Sequence, residues 1–386
     1  MKIVVAPDSF KGSLSAQGVC KAVKEGIKAV FPDAEVIELP LADGGEGIME
    51  NMVYATGGKT VNTRAFDPLL RKIESAYGIL GDGETAVIEM AQASGLPLLK
   101  EKERNPLVAS SFGTGELIRA ALDAGYRKFI IGIGGSATND AGAGMLRALG
   151  MKFFDEAGNE LEEGGAALAR LARFDDSGLD SRIGESTFLV ASDVRNRLCG
   201  PRGASAIFGP QKGATPEMVD ELDAALGHFA DIVSAQKGVD LRTFEGGGAA
   251  GGMGASLIAF LDAELQSGID LVMERIGFAE KIKGADLIIT GEGRLDVQTF
   301  NGKLITGITK AAGKAAVPVV ALAGSQNLSG AQVAEIGLVA AFSIVSGPCT
   351  VEEAMAQAEP LIREKTGAVM GLLKLSMQSS DAYGNR

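Results

Sequence analysis

Along this chain a short apolar run repeatedly ends in glycine and acidic residues and then gives way to a helical repeat. Lys2–Ala6 runs into Pro7-Asp8-Ser9-Phe10-Lys11, and Val19, Val23, Ile27 and Val30 follow at helical spacing. Glu35–Leu39 leads to Ala42-Asp43-Gly44-Gly45-Glu46-Gly47. Phe129–Ile133 leads to Gly134-Gly135-Ser136-Ala137-Thr138-Asn139-Asp140. Asp286–Thr290 leads to Gly291-Glu292-Gly293-Arg294-Leu295-Asp296. Alternation of this kind predicts a parallel sheet with helices on both faces. In such a sheet, ligands sit beyond the carboxyl ends of the strands, where all of these loops fall.

From Lys59 to Ala91 the texture changes. Runs around Val61–Phe66, Lys72–Gly78 and Thr85–Met90 alternate apolar and polar, parted by Asp67-Pro68 and Gly81-Asp82-Gly83. That pattern predicts an antiparallel meander and a boundary near residue 60. The expected class is therefore α/β, with two α/β domains. Residues 1–60 and 270–386 would form a discontinuous Rossmann-like domain with a mostly parallel sheet. Residues 61–269 would form an inserted, mixed α/β domain.

Composition narrows the function. The net charge is −12, which opposes binding to nucleic acid or an anionic membrane. Trp is absent and Tyr rare, so a base-stacking surface is not expected. Cys20, Cys199 and Cys349 lack metal-ligand spacing and suit a reducing cytosol. The first residues do not read as a signal peptide, and no apolar stretch approaches membrane length. The expectation is a cytoplasmic protein, monomer or homodimer, whose partners are small molecules rather than nucleic acid or membrane.

A strand that turns through glycines into a helix offers backbone N–H groups to an anion, phosphate above all. Asn139 and Asp140 stand in such a turn, and a carboxylate beside phosphate calls for a divalent cation between them. Residues 132–137 also fit the G-x-G-x-x-A dinucleotide pattern, which keeps an NAD-dependent dehydrogenase open. Asp155 and Glu156 stand where a ribose-binding acid would fall, but precede a Gly158-Asn159 turn signal. Asp43 and Glu46 would bind metal or a substrate hydroxyl, or Asp43 would simply cap a helix. Asp8 could hold metal or act as base, and Lys11 could meet a carboxylate or phosphate. Gly291–Asp296, with Lys303 opening the next helix, gathers acids, an Arg and flexible backbone. Asp193 ends a strand of its own, and Lys212 sits in the rigid loop Phe208-Gly209-Pro210-Gln211-Lys212-Gly213. The glycine run 246–254 suits either an anion cradle or a hinge between domains.

Elimination is as informative. His228 is the single histidine and lies in a long helical pattern, so a Ser-His-Asp triad or a His-based metal site is not expected. A general base must be Asp, Glu or Lys. Phosphoryl transfer tolerates this, because its loose transition state needs positioning and charge neutralisation more than a strong base. A non-catalytic anion-binding protein is a third possibility.

Five of the loops, taken in order, carry a resemblance. They are Ala6–Ser15, Ala42–Gly47, Gly132–Asp140, Phe208–Ala214 and Thr290–Asp296. Together they resemble the bacterial class I glycerate kinases of glycerate 2-kinase type, over about residues 2–375. The resemblance implies ATP-dependent phosphorylation of D-glycerate with Mg²⁺, by direct in-line transfer at a site between two α/β domains. The product would be 2-phosphoglycerate, with 3-phosphoglycerate as the alternative. Asp193 would be the base, with Asp296 second. Substrate would meet Asp8, Ser9, Lys11, Asp43, Lys212 and Arg294. Nucleotide phosphates would meet Gly134, Gly135, Ser136, Asn139, Gly291 and Lys303, and Asp140 and Glu292 would hold metal. The chain departs from the family at Ser192-Asp193-Val194-Arg195-Asn196-Arg197-Leu198, where two arginines replace smaller residues, and at Leu304-Ile305, where Val-Pro is common.

Overall fold

A computed structural model describes residues 1–300 and 303–383, without the side chains of Gln298, Phe300, Lys303 and residues 379–383. Its strands are β1 (Lys2–Val5), β2 (Glu35–Glu38), β3 (Lys59–Phe66), β4 (Lys72–Ile79), β5 (Thr85–Glu89), β6 (Lys128–Gly132), β7 (Lys152–Phe154), β8 (Arg173–Asp175), β9 (Thr187–Ala191), β10 (Glu264–Gln266), β11 (Leu287–Leu295), β12 (Val319–Gln326) and β13 (Ala340–Ser343). The chain divides into two units. One joins Met1–Ala42 to the residues from Ile269 onward, and the other is Asp43–Gly268. The first division falls earlier than residue 60 because helix Ile48–Thr56 packs on β3, β4 and β5.

In the first unit the strand order is β13-β12-β11-β1-β2, parallel throughout. Ile3, Val4 and Val5 are buried completely, as both faces of a central parallel strand require. The helix Ala16–Val30 begins at Ser15, whose hydroxyl accepts the Gly18 N–H at 3.2 Å. Its buried Val19, Val23 and Ile27 share a core with Ile289, Leu322, Ile362 and Met370. Each such side chain contributes about 1.5–3 kcal/mol on burial. Gly26 lets this helix approach Ala358–Tyr383, since a Cβ there would lie 2.6 Å from the Arg363 carbonyl oxygen. The chain order reverses between β1 and β11, a topological switch point, so the loops after these two strands face one crevice of the sheet.

The second unit holds a six-stranded sheet in the order β10-β9-β6-β5-β4-β3. β3, β4 and β5 form the expected antiparallel meander, and β5, β6, β9 and β10 are parallel. β7 and β8 pair as a separate antiparallel ribbon. The long helix Pro216–Lys237 is set by Thr215, whose hydroxyl accepts the Met218 N–H at 3.3 Å, and by Pro216 in its first turn. It buries Leu222, Leu226, Phe229 and Val233 in the core of this unit.

Three local features depart from plain strand–turn–helix alternation. Gly291–Leu295 is not a loop at a strand end: it continues β11 and pairs with β12, with Glu292 opposite Ala323 and Arg294 opposite Ser325. Glycine spacing suggested a turn, but the neighbouring strand supplies a ladder for those backbone groups. The helix after Asn139-Asp140 does not start at once but spans Ala143–Ala148, because Ala141 (φ +53°) and Gly142 (φ +75°) turn left-handed ahead of it. The last helix is two, Val351–Ala356 and Ala358–Tyr383, parted just before Pro360. Among the described residues no helix is long and apolar enough to cross a membrane.

Candidate active site

In the second unit, parallel strands β5, β6 and β9 end level with one another: Glu89 pairs in register with Gly132, and Gly132 with Ala191. The loops beyond them pack backbone on backbone. The Gly134 N–H donates to the Gly44 carbonyl at 3.3 Å. A Cβ on Gly134 would lie 2.5 Å from the Gly45 Cα, and one on Gly44 (φ +99°) would lie 2.9 Å from the Ala191 carbonyl oxygen. These glycines exist for close approach of loops, and the Gly134 amide is spent inside the protein. Gly135 (φ +71°) turns the chain, and its carbonyl accepts the Leu96 N–H at 2.9 Å.

Asp193, half-buried, accepts the Gly268 N–H at 3.2 Å. Gly268 is also pressed against Asp43, since a Cβ there would sit 2.0 Å from the Asp43 carbonyl oxygen. Asp43 and Asp193 are therefore brought to one place, Asp43 exposed and Asp193 partly sheltered. Arg195 lies outside, exposed and 3.6 Å from Glu245.

Lys212 ends the short 3-10 turn Pro210–Lys212 and is 1% exposed. Its ammonium donates to the Ser136 Oγ at 2.9 Å and to the Thr138 carbonyl at 2.6 Å. Burial brings its pKa down to about 7, with Asp140 opposing that shift. Nearby, Asn139 donates to the Ser205 Oγ at 2.9 Å. The Asn139 Oδ1 and Thr138 Oγ1 are buried and have no hydrogen-bond partner among the described residues.

Asp140 does not stand open to a ligand. One of its oxygens accepts the Ser111 N–H and Oγ–H, both at 2.8 Å, and the Gly144 N–H at 3.3 Å; the other accepts the Gly142 N–H at 3.1 Å. This buried carboxylate joins the start of helix Phe112–Asp123 to the start of Ala143–Ala148. The glycine run 246–254 lies wholly inside this unit and packs under the same loop: the Ala141 N–H donates to the Gly251 carbonyl at 3.0 Å. That position excludes a hinge between the units. Asp155 accepts the Asn159 N–H at 2.8 Å in an exposed turn. The His228 ring lies 2.6 Å from the Leu171 carbonyl, a structural contact.

Sequence reasoning missed Glu89. It is 1% exposed and accepts the Gly47 N–H at 3.0 Å and the Met49 N–H at 3.2 Å, holding the Asp43–Gly47 loop to the end of β5. Burial raises its pKa, and those two bonds oppose the shift. Its signal was an acid closing the run Thr85-Ala86-Val87-Ile88.

The first unit gathers the other expected residues at its switch point. The Asp8 N–H donates to the Gly291 carbonyl at 2.8 Å, and the Ser9 N–H to the Asp8 Oδ1 at 2.6 Å. Exposed Arg294 pairs with Asp296 at 2.7 Å, and the Thr299 hydroxyl donates to Glu292 at 3.2 Å. Burial pushes the Glu292 pKa up to about 7; Thr299 and Lys11 oppose this, while Asp8 and Asp296 add to it. Lys11 is exposed. Lys303 opens helix Lys303–Ala315, but its side chain lies outside the described residues, as do residues 301–302. Among the described residues no three His, Cys, Asp or Glu side chains form a closed metal-ligand set.

The expected site residues thus fall into two clusters, one in each unit, both at carboxyl ends of parallel strands. Comparison with known proteins supplies the family. The model of the glycerate kinase family matches residues 3–374. A glycerate kinase of Bacillus subtilis (strain 168) is 49% identical, over 97% of this chain and 98% of its own length. A glycerate 2-kinase of Escherichia coli (strain K12) is 47% identical, over 98% of this chain and 100% of its own length. A crystal structure assigned as glycerate kinase 2 from Salmonella typhimurium LT2 superposes with a TM-score of 0.87 at 48% identity, covering 98% of this chain and 99% of that one. The chain belongs to the glycerate kinase family, phosphotransferase enzymes of α/β fold.

Proposed function

We propose that this protein transfers the γ-phosphoryl group of ATP directly, in line, to the 2-hydroxyl of D-glycerate, giving 2-phosphoglycerate. The observation that carries the phosphate side is Lys212, a cation buried at the end of a parallel sheet whose hydrogen bonds go to a hydroxyl and a carbonyl, with Asp140 acting on it only through its field. A desolvated cation with no carboxylate in contact among the described residues favours a bound anion, and its field is little screened in so dry a place. Lys212 acts on that anion through its charge and by holding Ser136 and Thr138. The remaining N–H groups from Gly135 to Asn139 are candidates for phosphate contact. The similarity to a protein named glycerate 2-kinase supports the 2-position.

Asp193 is the base in this scheme. Its carboxylate is held by Gly268 and half-sheltered, so it can receive the hydroxyl proton as attack proceeds. Asp296, paired with Arg294, is the second choice. Asp8, Ser9, Lys11, Asp43 and Arg294 are candidates to orient glycerate. Mg²⁺ prefers one or two carboxylates plus phosphate oxygens over an all-protein cage. Glu292 with one acidic neighbour, Asp8 or Asp296, fits that pattern, because burial raises the Glu292 pKa, both neighbours add to the shift, and a cation would oppose it. When bound, the metal would neutralise charge on the transferring phosphoryl. Asp140 is better assigned to positioning than to metal, since both its oxygens already accept hydrogen bonds. The test is ADP release on D-glycerate, with the product identified by NMR. Phosphate on C2 supports the proposal; 3-phosphoglycerate or no turnover overturns it.

A further inference from the structure

Many of the chain's arginines, Arg71, Arg147, Arg182 and Arg242 among them, pair with Asp or Glu. Arg104 makes no such pair among the described residues, and one of its nitrogens is shut away from water. Its Nε is enclosed by protein and has no hydrogen-bond partner among the described residues. A guanidinium carries five donors in a fixed fork and is seldom left with an enclosed one unmatched.

The backbone of Arg104 packs against the Lys212 turn, and the segment that leads to it is tied to the Gly135 loop. The segment that carries it starts at Leu96, whose N–H donates to the Gly135 carbonyl at 2.9 Å. It passes through the 3-10 turn Glu101–Glu103, which Arg104 closes by donating its N–H to the Glu101 carbonyl at 3.2 Å. There it meets Gly213, next to Lys212. A Cβ on Gly213 would lie 2.6 Å from the Arg104 carbonyl oxygen and 3.0 Å from the Arg104 Cβ, and Gly213 has φ +94°. A side chain at 213 would be strained and would force the Lys212 turn away from Arg104.

We propose that Arg104 binds the carboxylate of the acceptor substrate and thereby selects a hydroxy acid over an uncharged alcohol. The inference rests on the kinase reading above and deepens it. The planar fork matches the two oxygens of a carboxylate.

The test compares wild type, Arg104→Met and Arg104→Lys, with KM measured for D-glycerate and for ATP, and with D-glyceramide as a neutral acceptor. Arg104→Met should raise KM for D-glycerate about 100-fold, the scale of a charge-assisted bidentate contact, and leave KM for ATP within about twofold. Its preference for glycerate over glyceramide should collapse. Arg104→Lys keeps the charge and stem, so it guards against a folding failure; its glycerate KM should rise about 10-fold. A rise in KM for ATP instead assigns Arg104 to phosphate and overturns the proposal, as does no change in either KM. If wild type does not phosphorylate D-glycerate, the kinase reading itself fails. If it does and the variants keep their glycerate KM, only the role of Arg104 fails.

Discussion

The two strand-end clusters share a topology and differ in how their charges are held. In the first unit the ends of β1 and β11 gather Asp8, Glu292 and Asp296, partly exposed and mutually repelling. In the second unit the ends of β5, β6 and β9 gather tightly packed glycine backbone, the acids Glu89, Asp140 and Asp193, each accepting backbone N–H groups, and Lys212, buried on a hydroxyl and a carbonyl. The same fold element thus makes one place where acids crowd one another and one where acids are tied to amides beside a buried cation. Topology sets where a ligand site falls, and the side chains and their burial set its charge.

Experiments on this contrast fall in order of expected size. Asp193→Asn, which removes the proposed base and keeps the shape, should lower kcat by about 10³-fold with an unchanged melting curve. Near-normal turnover would remove Asp193 from the mechanism and shift attention to Asp296. Lys212→Met deletes the buried cation at similar volume and should weaken an anionic substrate by about 100-fold in KM. If KM for glycerate and ATP both stay put, the second cluster is not the anion side. Glu89→Gln loses one of two amide bonds and should cost about 1–3 kcal/mol of stability, read by denaturant titration. An unchanged midpoint would show that the Asp43–Gly47 loop is held by other contacts.

The smallest effects are pH effects, and they run in opposite directions. Glu292 has a folded pKa raised to about 7 from 4.5, so the folded state holds the extra proton between those values. Its contribution is therefore lost as pH rises through that window. Glu292→Gln should be more stable than wild type at pH 8, lose that advantage below pH 4.5, and need more Mg²⁺ for half-maximal rate. An unaltered Mg²⁺ requirement would break the cation side of the contrast. Lys212 has a folded pKa lowered to about 7 from 10.5, so the unfolded state holds the extra proton between those values and stability rises with pH there. Anion binding favours the charged form. Calorimetry at pH 8 in buffers of different ionisation enthalpy should show proton uptake on binding, and Lys212→Met should abolish it.

Much of this was legible before any coordinates. Apolar runs closed by glycine and acid marked strands whose ends face a crevice, and β3–β5 announced themselves by alternation. A lone histidine in a helical repeat excluded histidine chemistry. Other features depend on neighbours the sequence does not show. Gly134, expected at phosphate, also seats the Gly44–Gly45 backbone. Asp140, expected at metal, also accepts hydrogen bonds from Ser111, Gly142 and Gly144. Gly291–Leu295 looked like a loop until β12 offered it a ladder.

What the sequence determined by itself was local and periodic: which segments are apolar, where chain direction must change, which chemistries have no residues to perform them, and which family the ordered loops resemble. Only the tertiary structure decided which charges lose water and which lone pairs remain available. Lys212 reaches across 76 residues to Ser136, and Glu89 across 42 to Gly47. Burial and hydrogen-bond saturation belong to neighbours that meet only when the chain folds, and they turn a charged residue into a site, a strut or a cap.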